Sequence, residues 1–315
     1  MRKTPSVVLL VTLSCLAILA ACAPEPKSNV PTFSPIFPAA GTSTAAAVEP
    51  TTKVPMIIAT ASSQAPTPTS SAATILTSRT AAAAASACRL GAGLREDTVE
   101  TQLAYQSPGG LYVTGSLGLA EEYFGQLETG LRVLVGPSLA RLRELADQAS
   151  ASGVPYDALA YNLEASRHTP IEEQMDVVGA TQQASDLAHA HGKLLLMGPG
   201  LRLMEENWAQ YPTMASYADL WIIQTQRLQS NPPGPKYREE VEKIISQLRM
   251  GNADLRIWAQ ISVTPGGQEL STAEVLAYRE AISDLVDGVY IYTGGDQNRP
   301  ETLEAIFAAV CGSDR

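Results

Sequence analysis

Ala158-Leu159-Ala160-Tyr161-Asn162-Leu163-Glu164 is the stretch from which the fold is read. In an extended strand successive side chains point to opposite faces. One face here is Leu159, Tyr161 and Leu163, apolar and suited to packing under helices. The other is Ala158, Ala160, Asn162 and Glu164, small at its start and ending in a carboxylate. Working outward, short apolar runs recur at 88–94, 111–116, 132–136, 193–198, 220–226, 256–262 and 288–293. Helix-like patterns lie between them at 138–151, 170–191, 234–250, 272–286 and 300–310. Thr169-Pro170-Ile171-Glu172-Glu173 predicts a helix start with Thr169 as N-cap, proline in the first position and acids in the first turn. Ser271-Thr272-Ala273-Glu274 predicts another. Alternating strands and helices over 88–315 predict a (β/α)8 TIM barrel, whose usual size is about 250 residues. A doubly wound open sheet is the alternative. No Gly-x-Gly-x-x-Gly follows a strand and opens a helix, which argues against its dinucleotide-binding version.

The sequence before this region reads differently. Met1-Arg2-Lys3 is a positive start, and 7–21 is an apolar run too short to span ~30 Å of hydrocarbon comfortably. The run ends Leu19-Ala20-Ala21-Cys22, which resembles the lipobox of bacterial lipoproteins. That resemblance implies a signal peptide over 1–21 and a lipidated Cys22, with palmitate-type acyl chains holding the protein to a membrane and facing outside the cytoplasm. An ordinary secretory signal is the alternative. Residues 22–87, rich in Pro, Ser, Thr and Ala, predict a disordered spacer. With Cys15 lost and Cys22 acylated, Cys88 and Cys311 remain. In an oxidising compartment they are expected to pair, clipping the two ends of the 88–315 domain together, with two buried free thiols as the alternative.

Charge narrows the partners. The chain carries a net −10, but 1–87 holds five Lys/Arg and two Asp/Glu, leaving 17 and 30 in 88–315, a net −13. An acidic domain without a basic cluster does not gather a phosphate backbone, so nucleic acid is excluded as a partner. Three His and four Cys, scattered, leave little for a zinc site, and no metal or cofactor is expected.

Barrel enzymes work at the carboxyl ends of their strands. There the alternation places Glu164 and Asn162, then Gln224 and Gln226, Trp258, Gln260 and Ser262, and Tyr290 and Tyr292. One carboxylate among amides, hydroxyls and aromatic rings suits an uncharged, polyhydroxylated ligand such as a sugar. The plainer alternative is that these side chains fill the barrel and hydrogen-bond one another.

The nine residues Tyr156-Asp157-Ala158-Leu159-Ala160-Tyr161-Asn162-Leu163-Glu164 resemble the fourth-strand motif of chitinase-like glycoside hydrolases. In family 18 chitinases that strand ends in Asp-x-Asp-x-Glu. In the related endo-β-N-acetylglucosaminidases it ends in Asn-x-Glu after an aromatic-Asp pair. The resemblance implies Glu164 as general acid/base and Asn162 as the residue that holds and polarises an acetamido group. The sugar's own N-acetyl oxygen would then be the nucleophile, an exception to the two-carboxylate rule, with Tyr292 or Tyr290 assisting. The chain departs from the chitinase pattern with Ala160 and Asn162 at the inner Asp positions, and 221–226 lacks the usual Met-x-Tyr-Asp. The implied function is a surface-tethered glycoside-hydrolase-like protein acting on an N-acetylated glycan or cell-wall polysaccharide. The alternative is a non-catalytic glycan-binding lipoprotein on a degenerate barrel.

Other signals are weighed lower. Arg167 and His168 follow Glu164 and are expected to tune it. Asp296 is the nearest second carboxylate, with Glu205, Glu206 and Glu269 behind it; each also reads as a solvated loop acid. Gly266-Gly267 and Gly294-Gly295 fall where barrels often bind phosphate, though such pairs are commonly turns. His189-x-His191 reads as a helix end rather than a ligand pair.

Overall fold

The computed structural model describes residues 88–230, 233–294 and 300–312. The expected signal peptide, Cys22 and spacer lie outside these residues, as does Asp296. Eight parallel strands close into a barrel in chain order: β1 (Leu90–Gly93), β2 (Leu111–Thr114), β3 (Leu131–Gly136), β4 (Ala158–Tyr161), β5 (Leu194–Met197), β6 (Leu220–Gln224), β7 (Arg256–Ser262) and β8 (Gly288–Tyr292). The pairing of β1 with β8 makes this a (β/α)8 barrel and excludes the open sheet.

The helices are α1 (Val99–Ala104), α2 (Leu117–Tyr123), α3 (Leu139–Ser152), α4 (Ile171–Met175), α5 (Val177–Ala190), α6 (Leu201–Glu206), α7 (Tyr211–Ala215), α8 (Pro235–Arg249), α9 (Thr272–Glu280) and α10 (Pro300–Cys311). Four of them, α1, α2, α6 and α7, are too short to display a helical period and were not foreseen. Among the described residues no helix is long and apolar enough to cross a membrane.

Two local expectations are corrected. The helix predicted over 170–191 is two, because Asp176 takes φ −122°, ψ 68° and its carboxylate accepts the Gly179 N–H at 2.9 Å, starting α5 afresh. Thr169 is not an N-cap; Pro170 takes that place. The Thr169 hydroxyl donates instead to the Pro137 carbonyl at 2.8 Å and accepts the Glu164 N–H at 3.3 Å, tying the loop after β4 to the loop after β3. At α9 the expected start holds as a full capping box between Ser271 and Glu274, though the helix stops at Glu280 rather than 286.

The alternation in 158–164 sorts as read. Ala158 and Ala160 belong to the barrel interior with Val133, Leu196, Leu220 and Ile222. Leu159, Tyr161 and Leu163 pack in the shell between sheet and helices. Trp258 is the largest interior side chain, and two strand glycines make its room. A Cβ at Gly288 would stand 2.8 Å from the indole ring and one at Gly91 would stand 3.3 Å from it.

The amino end of the barrel is held by a device repeated three times. Asp157, Asp219 and Asp287 each precede an even-numbered strand. Each accepts a backbone N–H from the strand before: Arg132 at 3.0 Å, Leu195 at 2.8 Å and Ile257 at 2.8 Å. The disulfide closes the same end. Cys88 precedes β1, Cys311 ends α10, and their Cα atoms are 5.0 Å apart across 223 positions.

Candidate active site

Glu164 stands three residues beyond β4, on a loop that its own backbone and Thr169 hold in place. Its neighbours come from three strand ends. Asn162 Nδ2 donates to Glu164 Oε1 at 3.0 Å. Gln224, the last residue of β6, uses Nε2 toward three acceptors: the Gly198 carbonyl at 2.9 Å, Asn162 Oδ1 at 3.0 Å and Glu164 Oε1 at 3.3 Å. Gln226 Nε2 donates to Gln224 Oε1 at 3.3 Å, and Gln260 Nε2 donates to Gln226 Oε1 at 3.2 Å. Thr225, buried between them, donates its hydroxyl to the Gln260 carbonyl at 2.7 Å and so fixes the turn that carries Gln226.

The mouth of the barrel thus holds one continuous polar chain, Gln260 to Gln226 to Gln224 to Asn162 and Glu164. Among the described residues, none hydrogen-bonds Glu164 Oε2 and no Lys or Arg forms an ion pair with this carboxylate. Gly200 passes close by, and a Cβ there would lie 3.3 Å from Glu164 Cγ. Neither the Gly200 contact nor the Gly198 carbonyl was foreseen from the sequence, where Gly198 only ends the apolar run 193–198.

The aromatic candidates separate. Tyr290 is in register with Gln260 on the neighbouring strand and is half-buried. Burial pushes its hydroxyl above the ordinary phenol range, Tyr292 adds to the rise, and Arg95 opposes it. Tyr292, at the end of β8, is 37% exposed. Trp258 is 5% exposed, two residues before Gln260 on β7, and packs into the interior cluster rather than lining the mouth.

Several expected neighbours lie elsewhere. Arg167 Nε donates to His168 Nε2 at 3.4 Å, so these exposed side chains meet each other rather than Glu164. Glu205 pairs with Arg227 and Glu206 with Arg202, each at 3.3 Å, and Glu269 is exposed. Asp296 lies outside the described residues. The Tyr156-Asp157 pair sits at the opposite end of β4 from Glu164. There Asp157 holds the Arg132 guanidinium at 2.9 and 3.0 Å, and Lys193 Nζ lies 4.4 Å from the centre of the Tyr156 ring. Gly266 and Gly267 occupy a tight turn with φ of 59° and 82°.

Tyr161 adds a contact that the sequence did not reveal. Its hydroxyl donates to the Glu173 carboxylate, which also accepts the Leu139 N–H at the start of α3. Burial first, and Glu173 second, hold the Tyr161 hydroxyl far above the ordinary phenol range. This proton stays on Tyr161 and serves structure.

The barrel is chitinase-like in fold. The structure of a family 18 chitinase from Crocus vernus superimposes with a TM-score of 0.51 at 7% identity, covering 71% of this chain and 98% of that one. The catalytic domain of a family GH18 chitinase from the fern Peteris ryukyuensis gives 0.48 at 11% identity, covering 69% and 98%. No protein-family model and no curated protein matches the sequence. At these identities the likeness is one of architecture, and the chemistry has to be argued from the residues at the mouth.

Proposed function

We propose that the protein is a glycoside-hydrolase-like enzyme acting on an N-acetylated glycan, with Glu164 as general acid/base and the sugar's acetamido oxygen as internal nucleophile. The observation that carries this reading is the asymmetry at Glu164: Oε1 accepts from the Asn162 amide and faces the Gln224 amide, while Oε2 has no partner among the described residues. A carboxyl fixed at one oxygen and open at the other can exchange a proton with a glycosidic oxygen or a water. Exposed Tyr292 supplies a ring face for sugar C–H surface and a hydroxyl for hydrogen bonding.

One observation favours the second reading, a glycan-binding protein without turnover. Both ends of the Asn162 amide are engaged, Nδ2 with Glu164 and Oδ1 with Gln224. Asn162 can polarise an acetamido group only by releasing one of them. Aryl N-acetylglucosaminides, chitin oligomers and peptidoglycan fragments distinguish the two. The hydrolase reading expects turnover that Glu164→Gln lowers by about 10²–10⁴-fold; equal rates for both proteins exclude it. The binding reading expects glycan binding that survives Glu164→Ala with no turnover by any form.

We further propose a lipid tether, supported by the positive start, the apolar run over 7–21 and Leu19-Ala20-Ala21-Cys22. The domain then sits outside the cytoplasm at the end of a spacer. Labelled palmitate incorporated by the wild type and lost in Cys22→Ser supports this; equal labelling of both contradicts it.

A further inference from the structure

We propose that Gln226 and Gln260 are positioning residues, and that one backbone carbonyl, Gly198 O, sets the direction of the whole amide chain that ends on Glu164. The consequence for proton transfer rests on Glu164 being the acid/base; the direction of the chain does not.

A side-chain amide has a donor end and an acceptor end, and either can face a neighbouring amide. A peptide carbonyl can only accept. Gln224 must therefore turn its Nε2 toward Gly198 O, at 2.9 Å. Its Oε1 is then an acceptor facing Gln226, which must present Nε2, at 3.3 Å. That leaves Gln226 Oε1 facing Gln260, which must present its own Nε2, at 3.2 Å. On the other side, Gln224 Nε2 meets Asn162 Oδ1 at 3.0 Å, so Asn162 turns Nδ2 to Glu164 Oε1 at 3.0 Å. Reversing any one of these amides sets two donors or two acceptors against each other. Gln224 and Gln260 are each only 9% exposed, so water does not readily repair such a mismatch.

Glu164 Oε1 therefore meets an N–H of Asn162 at 3.0 Å, with Gln224 Nε2, its two hydrogens turned to Gly198 O and Asn162 Oδ1, 3.3 Å away. A hydrogen on Oε1 would collide with the Asn162 N–H, so the proton of a protonated Glu164 resides on Oε2. In the acid step the Oε2–H bond breaks as a bond from that hydrogen to the glycosidic oxygen forms. The electron pair of the cleaved C–O bond leaves with that oxygen as the acetamido oxygen bonds to the anomeric carbon, and the Asn162 N–H stabilises the resulting carboxylate at Oε1. In the base step a water oxygen bonds to the anomeric carbon, the bond from that carbon to the acetamido oxygen breaks with its electron pair returning to the acetamido group, and the water's proton goes to Oε2. Gln226 and Gln260 reach neither oxygen; they act through Gln224.

The test compares full-length wild type with Gln226→Met, Gln260→Glu and Gln260→Lys, using 15N NMR of side-chain amides. Gln226→Met should shift the Gln224 and Asn162 NH2 signals and speed their hydrogen exchange about tenfold, the equivalent of one hydrogen bond. Gln260→Glu, similar in shape but unable to donate when ionised, should move the same signals, while Gln260→Lys, which still donates, should leave them near wild type. Unmoved Gln224 and Asn162 signals in a folded Gln226→Met protein overturn the proposal. Should that variant fail to fold, the same effect from Gln260→Glu and Gln260→Lys overturns it instead. With chitin oligomers as substrate, Gln226→Met should lower kcat about tenfold with KM little changed. Absence of wild-type turnover counts against the hydrolase reading alone, since the amide signals decide the direction of the chain without it.

Discussion

Gln224 has two amide hydrogens, and three acceptors stand around them. That surplus makes it the junction of the site. Gln224→Leu leaves the Gly198 carbonyl and Asn162 Oδ1 without their donor in a buried setting. The expected cost is about 1–3 kcal/mol of stability, read as a lower urea midpoint. A midpoint equal to wild type would mean that water fills the gap. At this scale the sequence was legible where the period of two operates, and Asn162, Glu164, Gln224 and Gln260 all fall on the inward side. It was not legible where a backbone atom does the work, because the Gly198 carbonyl leaves no mark in residue identity. Nor was it legible for Tyr161 and Glu173, which meet only through the path of the loop between them. The aromatic-Asp pair of the motif is a lesson of the same kind. Adjacent in sequence to the rest of the motif, Tyr156 and Asp157 serve the other end of the strand.

Among the elements, the strands follow from short apolar runs, and their order around the barrel repeats their order in the chain. The helices were harder to read. Short ones offer too few residues for a period, and the break at Asp176 rests on a cap inside an otherwise helical stretch. Strand packing gives a sharp prediction. Gly288→Ala puts a methyl group 2.8 Å from the Trp258 ring, and overpacking of this kind costs about 1–3 kcal/mol. Adding Trp258→Leu should recover part of that loss in thermal unfolding; a double variant no better than Gly288→Ala would show that the indole is not the obstruction. The junction of α5 with β6 gives a pH prediction. His189 Nε2 lies 2.9 Å from Asp219 Oδ2, and this carboxylate raises the imidazole above its ordinary value of about 6.5. A raised folded value means that the contribution is fully present below the unfolded value and is lost as pH rises through the folded one. Stability of the wild type should therefore decline more than that of His189→Gln as pH rises from about 6 through neutrality. Parallel profiles would contradict it.

For the molecule as a whole, the cysteine count led to the Cys88–Cys311 clip, since two cysteines remain once Cys15 and Cys22 are assigned to the proposed leader and anchor. Joining positions this far apart restricts the unfolded chain by roughly 5 kcal/mol. Reductant should lower the melting temperature of the wild type and leave a Cys88→Ser/Cys311→Ser double variant unmoved; equal response would place the effect elsewhere. The barrel itself narrows the chemistry only to what its mouth can hold, and there the chain presents a carboxylate with one open oxygen among amides. The most direct measurement is the rate on an aryl N-acetylglucosaminide against the corresponding aryl glucoside, for wild type and Glu164→Gln. Substrate assistance at Glu164 predicts that wild type cleaves only the acetamido sugar and that Glu164→Gln loses about 10²–10⁴-fold. Equal cleavage of both sugars, or equal rates from both proteins, would contradict it.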